Sequence, residues 1–380
     1  MRKLLIALFG ILLGVGVTYT ALSYSPRTNT ITPINPLSPK KEVIGFLPYW
    51  LLDKADKDYS KYINTLTYFG LKVGTDGKIM RYNSPTEKEL GWNALDTGKV
   101  DKFLQDAKNS DENLSLLISN GNVDSINALV ENPVRNARNL VSDVEPIMDR
   151  YGFTDLNIDI EYTSQASTSA RENFTKFIQE VKNNLKPSQT LTVEITSIDV
   201  VKPYLIDPVA VSKIADKIVI MTYDYHSTDS FVTGPVAPLL GAGTESEFDV
   251  QAAIEKALEI MPAQKLILGV PTYGYEWEAL SPVPRSAIIP STGVVVSNRR
   301  AEELLTTCSS CSAVLDKSAE ESYISYYDDY TQDYHIMFYP DKNSTEKKVK
   351  FANDLSLGGI AIWALGYEGD NMLSPLEGYK

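Results

Sequence analysis

Short apolar segments alternate with segments of helical periodicity along most of the chain. Eight apolar runs occur, at residues 43–47, 65–71, 114–119, 156–161, 191–196, 217–223, 265–271 and 359–363. Strands that alternate with helices favour parallel pairing, and eight such units predict an α/β fold, a (β/α)8 TIM barrel, for which about 250 residues is typical. We assign residues 43–375 to this barrel.

The interval between the last two runs is the longest of the series. It contains two aromatic-rich segments, at residues 323–327 and 334–339. Loops that follow barrel strands carry function, so an insertion at this point would form one wall of the active-site cleft. We therefore predict a small β-rich insertion at residues 278–340.

Cys308 and Cys311 lie within this interval and are the only cysteines of the chain. A zinc site would need more ligands than they provide, and His226 and His335 are the only histidines. A local disulfide is the interpretation we favour, and two free thiols are the alternative. We expect neither a metal ion nor a cofactor.

The N-terminal residues have the composition of a targeting segment. Arg2 and Lys3 precede residues 4–22, which carry no charge. We predict that residues 1–23 are either an export signal or an uncleaved membrane anchor, because a run of this length can also span a bilayer. Residues 24–42 are rich in Pro, Ser and Thr and are predicted to be a flexible tether. Either alternative places the barrel outside the cytoplasm, secreted or anchored to the outer face of the membrane.

The fourth apolar run carries a row of polar side chains. Asn157, Asp159 and Glu161 alternate with aliphatic residues, so in a strand they share one face. A half-exposed antiparallel strand would place that face in water. In a parallel sheet covered by helices the row would be buried at a cost, which implies that the polar groups have a function.

Asp159 and Glu161 are two positions apart in the sequence, about 6.6 Å along a strand. Ordinary glycosidases place two carboxylates on opposite sides of the scissile bond, one as acid and one as nucleophile or base. Two carboxylates from one face of one strand do not fit that geometry easily. A substrate that carries its own nucleophile, such as a 2-acetamido group, would remove the difficulty.

Residues 152–161 (GFTDLNIDIE) resemble the DGxDxDxE motif of glycoside hydrolase family 18. Further segments follow in the family's order, at 221–225 (MTYDY), 269–277 (GVPTYGYEW) and 358–363 (GGIAIW), with a looser match at 117–121 (LISNG). The combination of 44–50 (IGFLPYW) with 273–277 is similar to the branch that contains bacterial spore and cell-wall glucosaminidases and chitobiases.

The resemblance implies a role for each matching residue. Glu161 would be the general acid and later the base, and Asp159 would orient the acetamido group and stabilise an oxazolinium-like intermediate. Tyr223 would hydrogen-bond the acetamide, Asp224 would contact the same sugar, and Trp363 would form the floor beneath its ring. The remaining candidates for substrate binding are Asn157, Met221, Tyr273 and Phe69.

Several of these residues also allow a purely structural interpretation. Tyr223 and Trp363 can be core aromatics, and Asp224 can be a helix cap. Phe69, Tyr49 and Trp50 can be residues that only pack in the core.

The chain departs from the family motif at two places. Thr154 and Asp155 stand where the family usually has Asp-Gly, although Asp155 can cover part of the missing acid's role. Asn157 replaces the innermost Asp, which normally shares a proton with the next one. We expect this replacement to affect the pH dependence more than the activity itself.

The resemblance favours an exported, retaining hydrolase of β-1,4-linked N-acetylglucosamine glycans, with peptidoglycan and chitin as candidate substrates. The alternatives are a non-hydrolytic chitinase-like glycan-binding protein, in which the acid is usually missing, and a barrel enzyme with unrelated chemistry. The net charge of −13 argues against a nucleic-acid partner, which would require a basic surface. We expect a monomer.

Overall fold

The computed structural model describes residues 41–202, 204–243 and 248–380. The predicted signal or anchor at residues 1–23 and nearly all of the predicted tether lie outside the described residues. Within the described part of the chain, no helix has both the length and the apolar character needed to cross a bilayer.

The described residues form strands and helices in alternation. The strands are β1 (Glu42–Pro48), β2 (Thr65–Lys72), β3 (Tyr82–Ser84), β4 (Glu87–Lys88), β5 (Asn113–Asn120), β6 (Asp155–Ile160), β7 (Thr190–Thr196), β8 (Lys217–Met221), β9 (Leu266–Pro271), β10 (Tyr273–Ala279), β11 (Val294–Ser297), β12 (Ala313–Asp316), β13 (Glu321–Asp328), β14 (Asp333–Tyr339) and β15 (Gly359–Trp363). The α-helices are α1 (Leu90–Asp96), α2 (Asp101–Asn109), α3 (Val123–Glu131), α4 (Pro133–Tyr151), α5 (Thr168–Asn184), α6 (Pro208–Ile214), α7 (Val250–Leu258), α8 (Asn298–Thr307) and α9 (Lys342–Asp354).

Eight of the strands close into a barrel in the order β1-β2-β5-β6-β7-β8-β9-β15. All neighbouring strands in this ring run parallel. The predicted α/β fold, a (β/α)8 TIM barrel, is therefore confirmed, and its eight strands coincide with the eight apolar runs to within a few residues at each end.

Strand β6 lies in the middle of the sheet and is buried along its whole length. It pairs in parallel with β5 on one side and β7 on the other. The half-exposed antiparallel strand is thereby excluded, and the polar row of β6 faces the interior of the barrel.

Asp155 at the start of β6 is occupied by structural contacts. Its carboxylate accepts hydrogen bonds from Ser115 Oγ at 2.7 Å and Thr192 Oγ1 at 3.0 Å, and Lys217 Nζ lies 3.5 Å away. These partners lie at the N-terminal ends of the strands, opposite the end where barrels place their catalytic groups. Asp155 therefore does not replace the acid that the motif lacks.

The chain between β9 and β15 forms a five-stranded antiparallel sheet in the order β11-β10-β14-β13-β12. Its first strand, β10, begins at Tyr273, earlier than residue 278, because only Thr272 separates it from barrel strand β9. Cys308 and Cys311, which follow α8, are joined in a disulfide.

A buried ion pair connects the inserted sheet with the barrel. Glu321 at the start of β13 is fully buried, and Lys348 Nζ on α9 lies 3.7 Å from its carboxylate. Glu321 also accepts hydrogen bonds from the backbone N–H groups of Val236, at 2.7 Å, and Ala237, at 3.1 Å. The Val236 carbonyl in turn accepts a hydrogen bond from the Tyr225 N–H. The insertion thus holds the loop that leaves the C-terminal end of β8.

Candidate active site

A cavity of about 120 Å³ opens at the C-terminal ends of the barrel strands. Parallel strands bring their carboxyl ends to one edge, so side chains from distant parts of the sequence converge there. The cavity is lined by Phe46, Phe69, Leu117, Asp159, Glu161, Glu194, Met221, Tyr223, Asp224 and Trp363.

The structure brings most of the predicted site residues together around this space. Those that line it directly are Asp159, Glu161, Tyr223, Asp224, Met221, Trp363 and Phe69. Asn157 lies beneath the cavity on β6 and is completely buried. Tyr273 reaches the site through Asp224 and does not line the cavity.

Asp224 is held from two sides by phenol groups. Its Oδ1 accepts hydrogen bonds from Tyr273 OH at 2.5 Å and Tyr275 OH at 2.7 Å. The backbone at Asp224 is left-handed, with φ at 61°, a conformation that a short polar side chain tolerates. The next α-helix in the described chain begins only at Val250, so Asp224 does not serve as a helix cap.

Aromatic side chains form one wall of the cavity. The ring of Trp363 meets Phe69 edge-on at a centroid distance of 4.9 Å, and Phe46 at 5.7 Å. Trp50 contacts both Phe69 and Trp363. Phe69 and Trp363 therefore pack against each other and also line the cavity, so the packing and binding interpretations apply to the same residues.

Glu194 on β7 is a site residue that the sequence analysis overlooked. It lines the cavity, is 3% exposed, and accepts a hydrogen bond from Asn157 Nδ2 at 2.7 Å. Its position follows the same alternation as that of Asp159, because Thr192, Glu194 and Thr196 alternate with aliphatic residues in the fifth apolar run. The strand-face argument would have identified it. Phe46, Leu117 and Tyr275 are further site residues; each lies in a segment that matches the family, but its residue type alone does not distinguish it from a core residue.

The cavity has a high density of carboxyl groups. Asp159, Glu161, Glu194 and Asp224 all line it, and no Lys, Arg or His of the described chain belongs to its lining. Burial raises the pKa of Asp159 well above its ordinary value, and the charge of Glu161 raises it further. Burial likewise raises the pKa of Glu194 well above its ordinary value, with the charge of Asp159 adding to the effect.

Glu161 follows β6 at the rim of the cavity, where part of its surface is open to solvent. The neighbouring atoms still desolvate its carboxyl group, which raises its pKa, and the charge of Asp224 raises it further. A carboxyl group whose pKa is raised in this way keeps its proton closer to neutral pH and can donate it to a leaving group.

Tyr223 faces the same carboxyl groups. Burial raises its pKa well above the ordinary value, and the charges of Glu194 and Asp159 add to the effect. The phenol therefore stays protonated and is available as a hydrogen-bond donor at the cavity.

A second cavity of about 200 Å³ shares Glu161, Glu194 and Met221 with the first, so these three residues stand between the two spaces. A wider surface depression of about 800 Å³ contains residues such as Asp56, Arg299 and Glu302 and none of the predicted site residues.

Comparison with known proteins agrees with this arrangement. The sequence profile of the family described as glycosyl hydrolases family 18 matches residues 42–368. The cortical fragment-lytic enzyme of Bacillus subtilis (strain 168) is 26% identical over 330 residues, which cover 83% of this chain and 67% of that protein.

Solved structures show the same fold. The group IV chitinase of Ostrinia furnacalis, in complex with allosamidin, superposes with a TM-score of 0.76 at 21% identity, over 89% of this chain and 98% of that one. The spore cortex-lytic enzyme SleL of Bacillus cereus gives a TM-score of 0.71 at 21% identity, over 90% and 75% of the two chains.

The chain belongs to glycosyl hydrolase family 18, because the family profile spans the whole barrel. It is a glycosidase. The resemblance predicted from the motifs is confirmed, including the similarity to bacterial spore enzymes.

The raised pKa of Asp159 predicts how stability depends on pH. Below the ordinary Asp value of about 3.9 the group is protonated in both the folded and unfolded chains. As pH rises above that value, the unfolded chain releases the proton while the folded protein keeps it, so folding becomes less favourable until the folded-state pKa is passed. Asp159→Asn removes this penalty and should raise the melting temperature at pH 8 by a few degrees, at about 1.4 kcal/mol per unit of pKa shift.

Thermal unfolding followed by circular dichroism between pH 4 and 8 measures this effect. The difference between Asp159→Asn and the unchanged protein should shrink towards pH 4. The exposed Asp329 provides the control, since Asp329→Asn should leave the curve unchanged. A constant difference across the pH range would contradict the raised pKa.

Proposed function

We propose that this protein hydrolyses β-1,4-linked N-acetylglucosamine glycans with retention of configuration, using the substrate's own 2-acetamido group as the nucleophile. The observation that carries the proposal is the position of Asp159 and Glu161. Asp159 lies on β6, Glu161 directly follows that strand, and both line the same cavity, so they approach the substrate from the same side.

The other two carboxyl groups of the cavity are poor candidates for an enzymic nucleophile. Asp224 accepts hydrogen bonds from two phenols through one oxygen, and Glu194 accepts the Asn157 amide hydrogen. Hydrogen bonds to an oxygen lower its availability for attack, and these bonds also fix the two side chains in place. A nucleophile carried by the substrate requires neither of them to move.

The proposed reaction proceeds in two steps. In the first, the acetamido oxygen attacks the anomeric carbon, the bond to the leaving oxygen breaks, and Glu161 gives its proton to that oxygen. Asp159 accepts a hydrogen bond from the acetamido N–H and offsets the positive charge of the oxazolinium intermediate. In the second, Glu161 takes a proton from water as the water oxygen bonds to the anomeric carbon and the ring of the intermediate opens.

The remaining residues bind the sugar at the scissile bond. Tyr223 donates a hydrogen bond to the acetamido oxygen and Asp224 accepts one from a sugar hydroxyl. The indole of Trp363 covers the apolar face of the pyranose ring. Met221 and Phe69 contact the acetamido methyl group and the ring edge. Asn157 and Tyr273 act indirectly, through Glu194 and Asp224.

Peptidoglycan and chitin are both candidate substrates. Support for peptidoglycan comes from the similarity to the cortical fragment-lytic enzyme, and support for chitin comes from the similarity to a chitinase. The chemistry proposed here requires no cofactor, since the acid, the stabilising carboxylate and the nucleophile are all supplied by the protein and its substrate. We propose that the protein acts as a monomer.

Replacing the proposed acid tests the assignment directly. Glu161→Gln should lower kcat on chitin oligomers and on purified peptidoglycan by at least roughly 10²–10⁴-fold, because general acid catalysis contributes about that much. Glycan binding measured by calorimetry should persist. Glu172→Gln changes an exposed glutamate on α5 and should retain full activity. A Glu161→Gln protein that keeps most of its rate would rule out Glu161 as the acid, and an unchanged protein that binds but never cleaves would favour a non-hydrolytic role.

The identity of the nucleophile has its own test. Thiazoline analogues of N-acetylglucosamine imitate the cyclised intermediate and should inhibit competitively, and early products examined by NMR should have the β configuration. Oligomers of β-1,4-linked glucose, which lack the acetamido group, serve as the matched control and should not be cleaved. Inverted products, or efficient cleavage of the glucose oligomers, would refute substrate assistance.

We also propose that the barrel acts outside the cytoplasmic membrane, either secreted or held there through residues 4–22. The uncharged run after Arg2 and Lys3 supports this location. In the native host, protease added to intact spheroplasts should digest a membrane-held barrel, and a secreted one should be found in the medium. A barrel that stays protected inside the cells would argue against export and against a cell-wall substrate.

A further inference from the structure

We propose that Glu194 and Asp159 share one proton in this site, and that Glu194 is thereby the positioning residue that compensates for asparagine at position 157. This inference rests on the proposed function, in which Asp159 must become negatively charged opposite the oxazolinium intermediate. It gives Glu194 a function in the reaction, in addition to its structural place in β7.

The barrel register brings the two carboxyl groups together. Asn157 of β6 pairs with Thr192 of β7, and Ile158 pairs with Val193. The paired register ends there; extended by one residue, it sets Asp159 next to Glu194. Asp159 is 5% exposed and Glu194 is 3% exposed, and both line the same cavity. Two acids therefore stand at one level of the barrel on neighbouring strands.

Asn157 joins the pair from below. Its Nδ2 donates to Glu194 Oε1 at 2.7 Å, which fixes the orientation of the amide. Its Oδ1 is buried without a hydrogen-bond partner among the described residues, and so is Asp159 Oδ1 on the same face of β6. Both orphaned atoms are acceptors when Asp159 is ionised. A proton on Asp159 Oδ1 would make that atom a hydrogen-bond donor, and a donor is what the two unpaired oxygens lack.

The surrounding charges favour a single shared proton. The titratable groups around the pair are Glu161 directly after β6, Tyr223 and Asp224 after β8, and Asp155 at the start of β6, whose charge also acts on Glu194. No cationic side chain from the described ranges lines the cavity. Two adjacent carboxylates in such surroundings do not both ionise readily. Burial chiefly raises the pKa of each acid; the charge of Glu161 adds to the shift of Asp159, and the charge of Asp159 adds to the shift of Glu194.

The shared proton changes place during the reaction without being lost. In the free enzyme the Asn157 amide donates its hydrogen to Glu194, which favours a charge on Glu194 and a proton on Asp159. When positive charge develops on the acetamido group, the negative charge moves to Asp159 and the proton passes to Glu194. Glu194 still accepts the Asn157 hydrogen through its carbonyl oxygen.

Glu194→Gln separates this role from a structural one. The amide introduced by this substitution keeps an oxygen that can accept the Asn157 hydrogen bond, but it cannot take up the proton. Asp159 must then ionise alone, so the acidic limb of the pH profile of kcat/KM should move to higher pH. The shift should be at least about 0.3 pH unit, because a pair of equivalent acids can lose its first proton from either group, and removing one acid removes this factor of two. The shift should be larger if Glu194 is the acid that ionises first.

The two other outcomes would each overturn the proposal. A shift to lower pH would mean that Glu194 is a permanently charged neighbour, whose removal merely eases the ionisation of Asp159. An unchanged limb would mean that Glu194 serves only as a hydrogen-bond acceptor. Glu276→Gln is the control, since Glu276 is also a buried glutamate, bonded to Tyr326 and His335 and outside the cavity, and its removal should leave the limb in place.

A second variant tests the pair by rebuilding it. Asn157→Asp combined with Glu194→Gln places both acids on β6, as the family motif does, and should return the limb towards that of the unchanged protein. The infrared carbonyl stretch of protonated carboxyl groups gives a readout that needs no turnover. Glu161 and other buried acids with raised pKa values contribute the same absorption in every variant, so the readout is a difference spectrum. At neutral pH the unchanged protein should show one protonated carboxyl group more than Glu194→Gln, and the double variant should regain it.

The two proposals fail in different ways. An unchanged protein that cleaves no N-acetylglucosamine glycan would refute the proposed function, and the infrared measurement would still decide the protonation of the pair. If the protein is active but shows no more protonated carboxyl absorption than Glu194→Gln, only the shared proton is refuted.

Discussion

The mouth of the barrel concentrates carboxyl groups where desolvation makes each of them costly to ionise. Asp159, Glu161, Glu194 and Asp224 line one small cavity to which the described residues contribute no cationic side chain. Desolvation, followed by the repulsion among these groups, accounts for the raised pKa values of the first three and for the protonated state of Tyr223. The well-packed core of the barrel below offsets this local cost, as is common where a site trades stability for activity.

Parallel strand pairing is what makes such a concentration possible. A closed ring of eight parallel strands brings all their carboxyl ends to one face, and seven of the eight contribute residues to the cavity. The opposite end of β6 shows how the same sheet treats an acid that is not part of the site. Hydroxyl groups and Lys217 surround Asp155 there, so these neighbouring groups stabilise its charge. The two ends of one strand thus hold acids under opposite electrostatic conditions.

Much of this arrangement could be predicted from the sequence, because it depends on local periodicity. Alternating apolar runs indicated the barrel, and the polar face of residues 157–161 indicated where chemistry would occur. Glu194 could have been found by the same reasoning, since it interrupts an aliphatic strand in the same way as Asp159 does. Tyr273 was predicted as a site residue, but the bonds from Tyr273 and Tyr275 to Asp224 could not be predicted, because they depend on the closure of the barrel and on the direction in which β10 leaves it. Similarly, the placement of Asp155 depends on the partners that neighbouring strands bring, which a single strand does not reveal.

The inserted sheet is tied to the cleft by contacts of two kinds. Its first strand, β10, carries the phenols bonded to Asp224, and β13 carries Glu321, which holds the loop after β8. Recombination with a related barrel that exchanged this segment as a block would therefore remove support from a residue at the cavity as well as changing the outer wall. The turn between β13 and β14, where Tyr327 and Tyr330 are exposed, makes neither of these contacts. Changes in the glycans that such enzymes accept can therefore arise at this turn, whereas changes in β10 or at Glu321 require matching changes in the barrel.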